Sequence, residues 1–423
     1  MHTIETINYV IMCLFFVCYA YQFAYIPLAW LPSRKKQEQP KPNRNHTFAV
    51  LIAAHDEAAV IGALVDILRA QTYPAQQVGI FVAADRCSDR TAEIARTHGA
   101  VVFERSADGR SGKGQALNFL LREMQRHGYS GYDAYIVLDA DNVADPHFIA
   151  NMNRTFSAGY DIVTCYRNSK NYGDNWISAG YALWFLRESR YLNDVRMRLG
   201  SSCAVSGTGF LFSNSVLQAC GGWHFFLLTE DIEFTIDNVV RGVRIGYCAD
   251  AVIYDEQPVR FRQSWAQRLR WSRGYLQVFS RYGGRLFGGI LHGSFSCYDM
   301  AMSILPAAVL TLAGLVINLG ATAVSLVQTG TFGVVGMSVL QSCISLYLTL
   351  FAIGAVTTVT EWHSICCRPA KKILYVFTFP LFMMTYLPIV IESLFVTPEW
   401  THIAHNRNVS LHEMCSDGSK TAV

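Results

Sequence analysis

Two long stretches of this chain carry no charge, and a soluble fold has no use for them. Thr6 to Ser33 is uncharged, and its apolar core Ile7–Leu31 is long enough to span about 30 Å of hydrocarbon. Residues 300–360, between Asp299 and Glu361, contain no Asp, Glu, Lys, Arg or His. That length accommodates two spans, divided near Gln328-Thr329-Gly330-Thr331. A third apolar run, Ile373 to Phe395, is interrupted by Pro380, Pro388 and Glu392. It reads either as a last span or as a re-entrant hairpin packed on protein. Three or four crossings are therefore expected. The first segment has no basic n-region and no clear small-residue cleavage site, so it reads as a retained span.

Orientation follows the basic residues. Arg34, Lys35, Lys36, Lys41 and Arg44 come directly after the first span, and Arg368, Lys371 and Lys372 follow the uncharged pair. The positive-inside rule then puts the N-terminus outside and residues 34 to about 298 in the cytoplasm of a multi-pass plasma-membrane protein. A net charge of +3 is too small to indicate nucleic acid. The twelve cysteines show no metal spacing and are expected to be reduced in a cytoplasmic domain.

With 423 residues the chain exceeds one ordinary domain. Between the spans, short apolar runs alternate with helical patterns. Strands are expected at Phe48–Ala54, Gly79–Asp85, Ala100–Phe103, Tyr135–Asp139, Asp161–Arg167, Gly209–Phe212 and Arg244–Cys248. Helices are expected at Ala59–Gln71, Arg90–His98, Lys113–His127 and Phe148–Phe156. This alternation predicts an α/β fold: a mainly parallel sheet covered on both faces. Ligands of such sheets bind at the carboxyl ends of the strands, where Asp85 and Asp139 stand. The first strand is followed by Ala-His-Asp-Glu rather than GxGxxG, which weakens a dinucleotide reading.

Four further features carry chemistry. Asp139-Ala140-Asp141 ends a buried run, Tyr-Ile-Val-Leu, and offers hard oxygen ligands for Mg²⁺ or Mn²⁺. Asp-x-Asp by itself is often a solvated turn. In Leu227–Glu233, LLTEDIE, Thr229 reads as a helix cap with Glu230 and Asp231 in the first turn. The apolar lead-in suggests partial burial, which would raise a carboxylate pKa and suit a general base. Gln263–Ser280 is a basic amphipathic stretch whose ordinary place is a membrane surface, although Arg270 could clamp a diphosphate and Trp271 could stack on a sugar. Arg110-Ser-Gly-Lys113-Gly opens a helix suited to phosphate oxygens, and Ser206-Gly207-Thr208-Gly209 permits close approach of a ligand to the backbone.

Taken in order, VAADRCSD, Asp-Ala-Asp, Thr-Glu-Asp and Gln267-x-x-Arg270-Trp271 resemble the family 2 inverting glycosyltransferases, in particular the membrane-embedded synthases of cellulose, chitin, hyaluronan and poly-N-acetylglucosamine. The resemblance implies a GT-A domain at residues 48–258. Before it would come a transmembrane helix (1–33) and a linker (34–47); after it, interface helices (259–298), a C-terminal membrane region (299–397) and a tail (398–423). It further implies that Asp85, Lys113, Asp139, Gln267 and Arg270 bind a UDP-sugar, that Asp141 binds the divalent metal, and that Asp231, with Glu230 beside it, is the catalytic base. Trp271, Gly207 and Thr208 would meet the acceptor. Ala84 departs from the pattern, because many relatives carry a second Asp there. The implied function is processive, inverting transfer, most simply from UDP-N-acetylglucosamine, to a β-linked polysaccharide, with an accessory membrane subunit among the conceivable partners. The alternatives are a synthase using UDP-glucose or single-sugar transfer to a lipid. A transporter ranks last, since residues 300–360 have none of the ionisable groups that mark transport paths.

Overall fold

The computed structural model describes residues 2–31, 42, 44–106, 111–304, 306–329, 333–398 and 413. The basic residues 34–36 and 41, Arg110, and nearly all of the tail lie outside them. Eight strands form one sheet: β1 (Phe48–Ala54), β2 (Val78–Asp85), β3 (Val101–Arg105), β4 (Ala134–Asp139), β5 (Val143–Ala144), β6 (Ile162–Ser169), β7 (Phe210–Ser213) and β8 (Ile245–Asp255). Their order is β3-β2-β1-β4-β7-β6-β8-β5. β3, β2, β1 and β4 run parallel, β7 is antiparallel to both its neighbours, β8 is parallel to β6, and β5 is antiparallel to β8. The expected α/β sheet is therefore present, mainly parallel.

The unbroken apolar run of β1 follows from burial on both faces. Ala49 and Leu51 point into one core with Ala116, Leu117 and Leu120 of α4 (Lys113–Arg126). Phe48, Val50 and Ile52 point into the other, packed with Ile61, Leu64, Val65 and Leu68 of α2 (Ile61–Arg69) and with Phe148 and Met152 of α5 (Phe148–Ser157). The short α3 (Thr91–Thr97) completes the β2–β3 crossover.

Two departures from the sequence reading matter for the site. β8 does not stop at Cys248 but continues to Asp255, because its register with β6 jumps from Cys165↔Cys248 to Tyr166↔Val252. Residues 249–251 bulge out, so exposed Ala249 and Asp250 imitate a strand end. The alternation pattern also assigns no element to residues 168–208. There the chain forms α6 (Trp176–Arg187), a π-helical turn (Glu188–Asn193) and α7 (Asp194–Leu199). Asn175 starts α6 with a capping box shared with Ser178.

After α8 (Asn214–Ala219) and α9 (Glu230–Val240) comes the 31-residue α10 (Phe261–Leu291), then α11 (Phe295–Ile304). The basic stretch does not leave all its cations at a surface. Arg268 is fully buried, with its guanidinium 4.4 Å from the Phe382 ring centroid and Nη1 donating to Phe382 O at 3.1 Å. The partners come from the C-terminal helices, which no local pattern reveals.

Those helices are α12 (Pro306–Thr329), α13 (Gly333–Thr360), α14 (Pro369–Met384) and α15 (Tyr386–Phe395), and α12 packs beside the N-terminal α1 (His2–Trp30). Among the described residues, three helical segments are long and apolar enough to cross a membrane: Tyr9–Trp30, Val339–Thr360 and Pro369–Phe395. The re-entrant hairpin is not observed. Thr385 alone separates α14 from α15, and its φ of −65° and ψ of −13° keep the helical sense, so the chain does not turn back. Pro380 is accommodated inside α14. Cys366 is disulfide-bonded, against the expectation of fully reduced cysteines. Sequence spacing does not show which sulfurs a fold brings together.

Candidate active site

Sheet order places the acidic strand ends. β2 and β4 flank β1 in parallel, with Ala54 opposite Ala84 and Ala53 opposite Asp139, so Asp85 and Asp139 emerge from the same edge. Asp85 Oδ1 accepts from Arg105 Nη1 at 2.9 Å and from Arg86 Nε at 3.3 Å. Lys113, the first residue of α4, pairs its ammonium with Asp139 and donates to Gly207 O at 2.7 Å.

Gly207 is close because β7 runs antiparallel to β4, which carries the Ser206–Gly209 loop to the carboxyl end of β4. Gly209 N donates to Val137 O at 2.9 Å. Its φ is +67°, and a Cβ there would lie 2.2 Å from Cys165 Sγ, so a side chain is excluded twice over. Thr208 is buried beneath this turn: its hydroxyl accepts from Asp139 N at 2.9 Å and donates to Asn142 Oδ1. It braces the Asp139–Asp141 turn and does not line the cavity above it. Asp141 does line that cavity, and its Oδ2 accepts from Glu256 N at 2.7 Å.

Opposite the strand ends stands the start of α9. Thr229 occupies the cap position, yet its hydroxyl makes no cap bond and no hydrogen bond among the described residues. The side chain instead packs at Gly274 of α10, where a Cβ would come within 2.5 Å of it. The apolar lead-in is held by Glu233, whose Oε2 accepts from Phe226 N at 2.9 Å and Leu227 N at 3.0 Å. Gly114 lets α4 reach this loop, since a Cβ there would sit 2.0 Å from Phe225 O. Glu230 and Asp231 consequently face Lys113 across the cavity. Burial raises the pKa of both, and for Glu230 the neighbouring Asp231 adds to the rise. Lys113 opposes it at both, with Arg270 at Glu230 and Arg167 at Asp231.

Arg167 and Asp255 form the floor. The Arg167 Nε donates to Asp255 Oδ2 at 2.8 Å, Nη1 donates to Ser206 O at 2.9 Å, and the guanidinium lies 3.7 Å over the Phe185 ring. A Cβ at Gly207 would lie 3.8 Å from both Arg167 Nη1 and Asp231 Oδ2, so the acidic base of α9 and this arginine meet at one backbone turn.

α10 closes the remaining side with Gln267, Arg270 and Trp271. Gln267 Oε1 and Arg270 Nε are buried and have no hydrogen-bond partner among the described residues. Trp271 stands edge-on to Tyr181 at 5.7 Å and to Phe185 at 6.2 Å. Of the site residues expected from the sequence, all except Thr208 line one cavity of about 610 Å³. It extends to the apolar helices α12, α13 and α15, where it is lined by Leu312, Leu346, Leu350, Leu387, Val390 and Ile391.

Residues 44–274 match the family described as glycosyltransferase like family 2. The chain belongs to that family. Curated relatives of this glycosyltransferase include the probable glycosyltransferase YdaM of Bacillus subtilis, 26% identical over 56% of the chain and 57% of the relative. The beta-monoglucosyldiacylglycerol synthase of Trichormus variabilis is 26% identical over 63% of the chain and 57% of the relative. The poly-beta-1,6-N-acetyl-D-glucosamine synthase of Staphylococcus aureus is 27% identical over 55% of each. The chain thus spans about half the length of the curated relatives it matches. Among solved structures, the mannosyltransferase PcManGT of Pyrobaculum calidifontis, in complex with GDP-Man and Mn²⁺, shares the fold. Its TM-score is 0.59 at 17% identity, over 91% of this chain and 98% of that one.

Several cavity residues of the glycosyltransferase escape the sequence reading: Arg167, Glu188, Asp255 and Tyr275. Asp255 obeys the strand-end rule that selects Asp85 and Asp139, but the bulge in β8 conceals it. No local signal marks Glu188. The donor set suits a hard divalent cation, because Asp139 and Asp141 present carboxylates to the same cavity. A tighter trio of ligand-type groups, Asp56, Cys87 and Asp89, is engaged instead in its own loop, with Asp56 Oδ1 accepting from Ser88 N at 2.6 Å.

Proposed function

We propose that this glycosyltransferase moves a sugar, with inversion, from a nucleoside-diphosphate sugar to a hydroxyl of a membrane lipid. One observation carries the reading: a single cavity joins the acidic strand ends to a wall of leucine, isoleucine and valine from α12, α13 and α15. Alkyl chains gain by leaving water for such a wall, whereas a polysaccharide passing through it would leave its hydroxyls without partners. The glucosyldiacylglycerol synthases among the relatives agree with this acceptor class. UDP as the carrier rests on the resemblance of the four ordered signatures.

In this reading Asp85 meets the nucleoside and Lys113 and Arg270 face the diphosphate. The orphaned Gln267 Oε1 and Arg270 Nε gain partners when the donor is bound. Asp139 and Asp141 would hold Mg²⁺ or Mn²⁺, which when bound supplies positive charge to the departing diphosphate. Asp231 accepts the proton of the acceptor hydroxyl as its oxygen attacks the anomeric carbon. Burial makes the carboxylate a stronger base than it is in water. Gly207 keeps that face open to the incoming oxygen.

Processive synthesis of a β-linked polysaccharide from UDP-N-acetylglucosamine is the second reading. It is favoured by Trp271, an aromatic platform on the cavity wall of a kind that stacks on sugar rings, and by the similarity to a poly-N-acetylglucosamine synthase. The deciding experiment incubates the purified chain in nanodiscs with labelled UDP-sugars, with and without dioleoylglycerol, and sizes the product. One sugar per lipid is expected. Long polymer formed without added lipid would overturn the lipid reading in favour of the second.

A further inference from the structure

Glu188 is the first residue of the π-helical turn that links α6 to α7, and it lines the cavity. Widened turns of this kind recur at functional sites. One of its oxygens, Oε2, accepts a long hydrogen bond of 3.3 Å from Ser206 Oγ. Oε1 accepts no hydrogen bond from the described residues, and Glu188 has no ion-pair partner among them. Three cations lie near, and each is engaged elsewhere; Arg187 donates to Gln22 Oε1 at 2.9 Å. Arg167 is bound to Asp255 and Ser206, and Arg196 donates to both oxygens of Asp299 at 2.7 Å. Burial pushes the Glu188 carboxyl up, Arg196 and Arg167 oppose this, and Asp231 adds to it. A carboxylate this poorly satisfied, lining the same cavity as Asp231, is poised for a donor that the protein does not supply.

The position is specific. Ser206, next to Gly207, donates to Glu188, and Asp231 acts on it electrostatically. Trp184, Leu192 and Met300 line the same cavity, as do the aliphatic residues of α12, α13 and α15. A lipid whose chains lie against that aliphatic wall and whose hydroxyl reaches Asp231 therefore brings its headgroup near Glu188.

We propose that Glu188 is an acceptor-binding residue whose carboxylate takes a hydrogen bond from a second hydroxyl of the acceptor headgroup, turning the reacting hydroxyl toward Asp231. The inference rests on the lipid-acceptor reading. It makes the enzyme selective for alkyl-borne polyols, such as glycosylated lipids, over lipids with a single hydroxyl.

Two probes with the same chain test it: octyl β-glucoside, with several hydroxyls, and 1-octanol, with one. Transfer to each is measured for the wild type and for Glu188→Gln, which preserves shape and the bond from Ser206. UDP titration of both proteins checks that the donor site is intact. The wild type is expected to prefer octyl β-glucoside, and Glu188→Gln to lose about tenfold of that preference through KM, the lower end for a bond to a charged acceptor. An unchanged preference overturns the proposal while leaving the lipid reading intact. Equal loss toward both probes, or weakened UDP binding, assigns Glu188 a structural role and also overturns it. A wild type that glycosylates neither probe while still releasing UDP removes the lipid reading, and the proposal with it.

Discussion

Lys113 Nζ donates to the carbonyl of Gly207, 94 residues further along the chain, at 2.7 Å while it pairs with Asp139. In one contact it ties the acidic strand end to the loop facing Asp231. A bound diphosphate would compete for the same ammonium. Lys113→Met is therefore expected to weaken UDP binding about tenfold or more, the worth of one charge-assisted bond. Calorimetric titration measures it, and unchanged affinity would remove Lys113 from the donor site.

Asp231→Asn should lower kcat by about 10²- to 10⁴-fold, the usual contribution of a positioned base, with UDP affinity retained. The pH dependence has a definite sign. A base works deprotonated, and burial raises the Asp231 pKa, so activity should fall on acidification at a higher pH than an ordinary aspartate, about 3.9, would give. A kcat profile flat down to that value would contradict the assignment.

Glu230 should reveal the cost of keeping such a site. Its folded pKa is raised by burial first and by Asp231 next, against Lys113 and Arg270. A carboxylate shifted upward destabilises the fold at any pH above its folded pKa, and this penalty vanishes below its unfolded value of about 4.3. Glu230→Gln should accordingly melt higher than wild type at pH 8, with the gain shrinking as the pH falls toward 4. Thermal unfolding in detergent at the two pH values checks this, and a lower melting point at pH 8 would refute it.

Removal of divalent cations is the fourth test. EDTA should abolish transfer, and excess Mg²⁺ or Mn²⁺ should restore it, whereas Asp141→Asn should require far more metal for half-maximal rate. Undiminished turnover in chelator, with residual metal measured, would separate the Asp139–Asp141 turn from metal binding.

The last prediction concerns how α7 of the sheet domain holds α1 and α11. Arg196 and Asp299 form a bidentate pair with side-chain exposures of 1% and 0%. The hydroxyl of Tyr21, from α1, donates to Asp299 Oδ1 at 2.8 Å. Arg196→Leu alone leaves a buried carboxylate uncompensated and should cost about 3–5 kcal/mol, while adding Asp299→Leu should recover much of it. Unfolding of the two variants in detergent decides the point. Equal destabilisation by the single and the double change would mean that the pair's loss does not act through the stranded charge.

Much of the sheet was legible because its determinants are local. β1 is a seven-residue apolar run that needs burial on both faces, and its predicted limits, Phe48–Ala54, match the observed strand. Asp85 and Asp139 could be singled out because each closes such a run. The uncharged segments likewise dictate membrane-length helices without reference to any partner, because apolar length alone is the signal.

What the tertiary structure decided depends on which strands and helices become neighbours. Sheet order puts β7 against β4, and this gives Thr208 a bracing role under the Asp139 turn that its motif does not disclose. The bulge opposite β6 hides the strand end at Asp255. Arg268 reads as a surface cation until Phe382, 114 residues away, encloses it. Glu188 owes its place to a π-helical turn with no periodic signature. Hydrophobic periodicity reports which side of an element is buried, but not what buries it. The groups that complete this cavity are set by contacts between distant segments.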